Sequence, residues 1–322
     1  MDLGGIIDIV LSVFALIAIG YAIAAFRVLP EQVGDAVGDF VFVIATPVLI
    51  FKTLGTADFA GPSPWLLWFA YFASALIVWL AGDLIVRRGF GRDARAGVIG
   101  GVSSAFANTV LVGIPVAFAA LGTAGAVPFL LIISIHLPLM MVLSTVLIDR
   151  AEVADGVKQG GSSLRDMATR VAVNLARNPI VIAVLASFAF RTTGLPLEGL
   201  AAMVTDSLAS AAVPCALFSL GMSLKRYGIR GNLPPALGLS ALKLILFPAL
   251  VWLIADRIAG LPPLWTAAAV LCAACPTGVN AYLIANRFRT GHALAANTIT
   301  LTTAIGVVTI SIWLVLLQTF GG

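Results

Sequence analysis

Apolar stretches about as long as a bilayer is thick recur along the whole chain, separated by short polar breaks. A hydrocarbon core of about 30 Å takes roughly 20 helical residues to cross. On that scale ten spans are predicted, at 6–26, 34–54, 64–86, 95–120, 126–147, 177–192, 199–224, 234–258, 264–288 and 293–318. The sixth is short and its start is the least defined. One connection, from Asp149 to Ala176, is long. Within it Ser163-Leu-Arg-Asp166 reads as a capping-box helix start, followed at helical spacing by Leu164, Met167, Val171 and Leu175, with Arg165, Arg170 and Arg177 alongside. Two readings of that helix stand: an amphipathic helix on the inner membrane surface, or an ordinary helical linker.

The basic residues alternate with the spans. Of 19 Lys and Arg, the loops after the first, third, fifth, seventh and ninth spans hold all but Lys52, Arg191, Arg257 and the intramembrane Lys243. Cytoplasmic loops carry the Lys/Arg excess, so these loops face the cytoplasm and both termini are expected outside a bacterial inner membrane. A wrong span count would scramble the alternation, so the charge pattern supports ten as well as the orientation.

Composition agrees. The 322 residues are 60% hydrophobic and 11% charged, with mean hydropathy +1.06, against about half apolar and a quarter charged for soluble domains. This excludes a water-soluble globular protein, a disordered chain and a disulfide scaffold. The net charge of +4 belongs to loops, so no nucleic-acid partner is expected; the bilayer is. The start, Met1 to Ile6, has no basic segment, so the first span reads as a retained helix. Cys215, Cys272 and Cys275 lie in apolar runs. Cys272 and Cys275 have C-x-x-C spacing but no second pair or His cluster, and they read as small packing residues; no metal site is expected.

Features repeat about 170 residues apart. Asp39 precedes Pro47 by eight residues and Phe51 follows by four; Asp206, Pro214 and Phe218 repeat that spacing. Asn108 lies near Pro115 in the fourth span, and Asn280 near Pro276 in the ninth. Five spans per half is an odd number, so the second half enters the membrane from the opposite side, as in the inverted repeats of many secondary transporters. The halves are 1–147 and 177–322, joined by 148–176.

The fourth and ninth spans are interrupted. The fourth reads Gly100-Gly-Val-Ser-Ser-Ala-Phe-Ala-Asn108-Thr-Val-Leu-Val-Gly113-Ile-Pro115, and the ninth Cys272-Ala-Ala-Cys-Pro276-Thr277-Gly278-Val-Asn280-Ala-Tyr282. Proline removes a backbone hydrogen bond and clashes with the preceding turn, and glycine relaxes the chain. Broken backbone at membrane depth survives only inside protein or beside a wet cavity. Two such helices crossing near the midplane would direct free N–H groups and positive dipole ends to one place, an anion site to which Asn108 and Asn280 add donors. The plainer alternative is a pair of packed proline kinks with satisfied amides.

These residues carry a resemblance. Asn108-Thr-Val-Leu-Val-Gly-Ile-Pro115 resembles the Asn-Thr-Leu-Val-x-Gly-Ile-Pro segment of PIN-FORMED auxin carriers. Pro276-Thr-Gly-Val, with Ala285-Asn-Arg-Phe after it, is similar to the second crossover of those carriers and of bacterial auxin efflux carrier permeases. The resemblance extends over essentially the whole chain. It implies an all-α membrane protein with a sodium/proton-antiporter-like fold. Spans 1, 2, 6 and 7 would form a scaffold, usually homodimeric, and spans 3–5 and 8–10 a transport domain moving as an elevator. The implied substrates are small organic anions such as auxin, malonate or malate. The plant carriers' long central loop is replaced here by 148–176, so regulation through it does not carry over.

The candidate substrate contacts are Asn108, Thr109, Gly113, Pro115, Pro276, Thr277, Gly278 and Asn280, with His136 and the scaffold's Thr46. His136, in Ser134-Ile-His136-Leu-Pro138, is either a structural histidine or a contact suited to proton coupling. Lys243 must find a partner: freed carbonyls of a neighbouring broken helix, an acid such as Asp83, or substrate. Asp39 and Asp206 lie near helix starts, where carboxylates are favoured anyway, and remain coupling candidates beside His136 and Lys243. Pro47 and Ala212-Val213-Pro214 could close over a ligand. Asn297, Thr298, Thr300, Thr302 and Thr303 make the last span polar on one face, from transport-domain lining and interhelical bonds together.

The expected function is secondary transport of a small carboxylate without a cofactor, with proton or sodium as possible coupling ion. A sodium-coupled bile-acid-type symporter is the nearest rival, and a channel or sensor the rival of another class. No paired carboxylates, Ser/His pair or ligand cluster in the spans points to an enzyme, and no catalytic residue is expected.

Overall fold

The computed structural model describes residues 3–57, 62–160, 164–227, 231 and 233–320. They are helical throughout apart from connecting turns and one isolated β-bridge. Twelve helices are labelled here: α1 Leu3–Ala25, α2 Glu31–Thr56, α3 Pro64–Gly89, α4 Ala94–Ala105, α5 Ile114–Ala154, α6 Leu164–Ala176, α7 Pro179–Thr192, α8 Gly199–Tyr227, α9 Pro234–Ile258, α10 Pro263–Ala274, α11 Asn280–Arg287 and α12 His292–Phe320. Seven helical runs among the described residues are long and apolar enough to cross a bilayer; α7 and α10 are shorter apolar helices. The capping-box residue Ser163 and the loop cation Arg230 lie outside the described residues.

The long helices bend where their prolines require it. A π-helical turn over Val41–Ala45 leads into Thr46-Pro47, one over Thr109–Gly113 into Ile114-Pro115, and one over Leu242–Leu246 into Phe247-Pro248. A proline ring collides with the carbonyl four residues back. Widening the turn ahead of it moves that carbonyl aside without ending the helix. The fourth and fifth predicted spans join differently from the sequence expectation. Their connection is a single sharp bend at Gly122 (φ 64°, ψ −170°) inside α5, and α5 runs on to Ala154. Glycine is what lets the chain turn there.

The helices pack in two groups. In one, α1, α2 and α7 gather around α8 directly or through α2; in the other, α3, α4, α5, α9, α10 and α12 pack on one another. Each group is drawn together by glycines. A Cβ on Gly221 would lie 2.0 Å from the Ile17 carbonyl oxygen of α1, and one on Gly20 would lie 2.2 Å from that of Phe218 in α8. With no hydrophobic force between helices in lipid, such backbone approach supplies the contact. The outward faces stay apolar, with Leu11, Ile19, Leu76, Leu185, Ile245 and Val308 all exposed.

The turn after α5 is tied to the start of α4. Asp155 accepts hydrogen bonds from the Ala94 amide (2.9 Å), the Arg95 amide (3.0 Å) and Arg95 Nε (3.0 Å). Burial alone would raise its carboxyl pKa, but these bonds and the Arg95 charge outweigh it and hold the group below the usual carboxylate range. Asp149 and Lys158 form an ion pair beside it.

Candidate functional site

Helix α4 ends at Ala105 and the chain resumes helical form at Thr109; α10 ends at Ala274 and α11 begins at Asn280. Between these ends both chains are extended (Phe106 φ −82°, ψ 98°; Cys275 φ −56°, ψ 146°). The two gaps lie side by side and pair like a scrap of antiparallel sheet, Ala107 opposite Thr277. The Asn108 amide donates to the Pro276 carbonyl (2.8 Å), and the Gly278 amide to the Phe106 carbonyl (2.7 Å). Each break thereby supplies the partners that the other's freed backbone needs. Thr277 binds the crossing to its neighbours. Its hydroxyl donates to the Ser103 carbonyl (2.6 Å), and its amide donates to Thr302 Oγ1 of α12 (3.0 Å).

Some donors remain unused. Asn108 Oδ1 accepts from the Leu111 amide (3.2 Å), whereas its Nδ2, fully buried, has no partner among the described residues. The amides of Thr109, Val110, Val279 and Asn280 stand at helix starts, where no carbonyl precedes them within the helix. All five residues line one cavity of about 360 Å³, closed on its far side by α2 (Gly34, Asp35, Gly38, Asp39 and Phe42) and α8 (Ser219, Ser223 and Arg226). At its mouth Arg226 Nη2 reaches both carboxylate oxygens of Asp35 (2.8 and 2.9 Å). This combination of two helix N-termini, a nearby asparagine and a cavity with polar lining suits a carboxylate of a few carbons.

Of the other sequence candidates, Gly278 and Asp39 line the cavity and the rest fall around it. Gly278 lines the cavity, while Pro276 and Thr277 hold the crossing. Gly113 is a packing position, where a Cβ would meet Phe129 Cζ at 2.6 Å and Cys275 Sγ at 3.0 Å. Pro115 is buried just past the π turn over Thr109–Gly113, which makes room for its ring. Thr46 is buried at the exit of its π turn and outside the lining. Asp39 lines the cavity; Asp206 pairs with Lys52 (2.7 Å) away from it.

His136 is fully buried behind the crossing. Its ring is edge-on to Phe106 (5.2 Å between centroids) and Tyr71 (5.4 Å). The Ala107 backbone lies beside it, at a geometry short of a hydrogen bond. Lys243 is also fully buried. It donates to the Ala273 carbonyl (2.6 Å), while Asp83 turns to Arg87 instead.

The α2 and α8 side of the cavity, Gly34, Gly38, Ser219, Ser223 and the Asp35–Arg226 pair, did not emerge from the sequence reading. The spacing of Gly34 and Gly38, four apart on one helix face, was the available signal: a Cβ on either would strike α8, at Met222 Cβ (2.7 Å) or Ser219 Oγ (2.7 Å).

Comparison with known proteins places the chain in a family. A "Putative malonate transporter" of Rhizobium meliloti (strain 1021) is 30% identical over 324 residues, covering 95% of this chain and 94% of its own length. An "Uncharacterized transporter" of Methanothermobacter thermautotrophicus is 27% identical over 318 residues, covering 97% of this chain and 99% of its own length. The profile of Mem_trans, described as membrane transport protein, matches residues 6–314. An all-helical chain with several bilayer-length helices, matched from near one end to the other, belongs to that family of membrane transporters, the auxin efflux carrier family.

Proposed function

We propose that the protein is a secondary transporter of a small carboxylate, with malonate the first candidate substrate and malate or an indole acid the next. The observation that carries this is the crossing itself: two interrupted helices whose restarting residues, Asn108, Thr109, Val110, Val279 and Asn280, line one cavity of about 360 Å³. The donors suit a carboxylate in size and polarity, and a related chain bears the name of malonate.

In this reading the chain spans the inner membrane ten times as two inverted halves of five, with both termini outside. The fourth span is α4 with the first part of α5, and the ninth is α10 with α11. The packing groups support a division of labour: α1, α2, α7 and α8 as a scaffold, the site of homodimerisation, and the rest of the membrane helices as a transport domain. The cavity lies between the groups, and its Asp35–Arg226 mouth is on the side of the basic loops, the cytoplasmic side. Sliding the crossing along α2 and α8 would carry a bound anion to the other face.

The test is a thermal-shift screen of the purified protein against malonate, malate and indole-3-acetate, with Asn108→Ala and Asn280→Ala as controls. The expected result is a ligand whose stabilisation is lost in both variants. A stabilisation that survives both substitutions unchanged overturns the site. Counterflow of the stabilising ligand in proteoliposomes then separates a carrier from a channel.

A further inference from the structure

Each interrupted helix brings two poles to the crossing. The restarting helix offers N–H groups, which favour an anion; the ending helix offers carbonyls, which oppose one. The carbonyl end of α4 is occupied: Ser103 accepts the Thr277 hydroxyl and Phe106 the Gly278 amide. The carbonyl end of α10 is met differently. Lys243, from the π turn of α9, places its ammonium 2.6 Å from the Ala273 carbonyl, with the face of Phe247 4.7 Å away.

Lys243 is the only charged side chain among the described residues with no solvent exposure at all. No carboxylate among them pairs with it; the titratable groups around it are His136, Cys272 and Cys275, with Tyr71 beyond. Burying an ammonium without an anion is costly. A helix carbonyl end and an aromatic face offset part of that cost, and a negative charge held nearby would offset more. Ala273 precedes by three residues the Pro276 carbonyl that holds Asn108, and by five the Gly278 that lines the cavity. In ion-coupled carriers, unwound carbonyls and the C-terminal ends of half-helices are where a sodium ion binds.

We propose that Lys243 is a resident cation that takes the place of a coupling sodium at the carbonyl end of α10, so that the anion site works without sodium. This rests on reading the crossing as a carboxylate site. The lysine cancels the pole that would repel the substrate and adds a fixed positive charge behind the donors. It is a positioning and electrostatic residue, since its ammonium contacts the helix end and not the cavity.

The experiment measures binding of malonate, malate and indole-3-acetate to purified protein in sodium chloride and in choline chloride at equal ionic strength, for wild type, Lys243→Met and Lys243→Arg. A buried unit charge acting on an anion at an effective dielectric of about 20, beyond direct contact, is worth on the order of tenfold in affinity. Wild type is expected to bind equally in both salts, Lys243→Arg to stay near wild type, and Lys243→Met to bind about tenfold or more weakly. Wild-type binding that requires sodium overturns the proposal, and so does a monodisperse Lys243→Met protein with wild-type affinity. If Lys243→Met does not fold, the salt comparison on wild type decides. If no carboxylate binds wild type in either salt, the carboxylate reading itself falls, and this inference with it.

Discussion

Thr277 hydrogen-bonds the carbonyl of Ser103 across 2.6 Å, joining the two interrupted helices at residues 174 positions apart. The same threonine donates its amide to Thr302 Oγ1, so one fully buried residue links α4, α10 and α12. Thr277→Val keeps the volume and removes the donor, leaving a buried carbonyl without its partner. Such a loss costs about 1–3 kcal/mol. A fall in melting temperature is expected for Thr277→Val, with Thr277→Ser close to wild type. Equal melting temperatures for all three proteins would show that the bond contributes nothing to the crossing.

The contact between α1 and α8 makes a sharper demand. A Cβ at Gly221 would lie 2.0 Å from the Ile17 oxygen and 2.9 Å from the Tyr21 nitrogen, both backbone atoms that no rotamer change can move. Gly221→Ala must push the helices apart, and overpacking of this kind costs about 1–3 kcal/mol or more. Gly89→Ala is the control, because nothing lies within 4 Å of its Cβ. Low yield or a depressed melting temperature is expected for the first and neither for the second, read by fluorescence-detected size exclusion.

Much of this arrangement was legible in the sequence, because lipid makes the rules strict. Apolar runs give the spans, and a Pro, Gly or Asn inside one must be accounted for. The two breaks at 106–108 and 275–279 were visible for that reason. Lys243 was visible as a cation needing a partner, though several partners were open; the choice of Ala273 over Asp83 depends on how α9 and α10 pack. The α2 and α8 wall of the cavity was not legible. Ser219, Ser223 and Arg226 carry no signal of their own; they join the lining through the packing of α8 on α2, which Gly34 and Gly38 let come close. The length of α5 was also missed. Residues past 147 are polar enough to end a span, yet the helix continues to Ala154, where Asp155 is held by the start of α4.

Two exposed ion pairs on α2 and α8 should weigh little in stability. Lys52–Asp206 and Arg226–Asp35 have side chains 41–55% exposed. Exposed pairs contribute about 0–1 kcal/mol. Asp206→Asn is expected to leave both melting temperature and carboxylate binding unchanged, because Asp206 lies away from the cavity. Arg226→Gln is expected to spare stability but alter binding, because Arg226 stands at the cavity mouth. A binding defect in Asp206→Asn would instead support that residue as a coupling candidate.

The Asp155 clasp gives a pH dependence whose sign is determined. Its carboxyl is held below the ordinary range in the folded protein and sits near 3.9 in an unfolded chain. The stabilisation is therefore fully present above about pH 4 and is lost as the pH falls from there through the lower folded value. The α5–α4 turn should loosen in that window while the membrane-embedded helices hold. Asp155→Asn removes both the charge and one acceptor oxygen, so the amides of Ala94 and Arg95 can no longer each meet a carboxylate oxygen. That variant should be destabilised at neutral pH and should lose less stability than wild type on acidification. Melting curves in detergent from pH 7 down to pH 3 test this: parallel pH profiles for wild type and Asp155→Asn would mean that the acid sensitivity resides elsewhere.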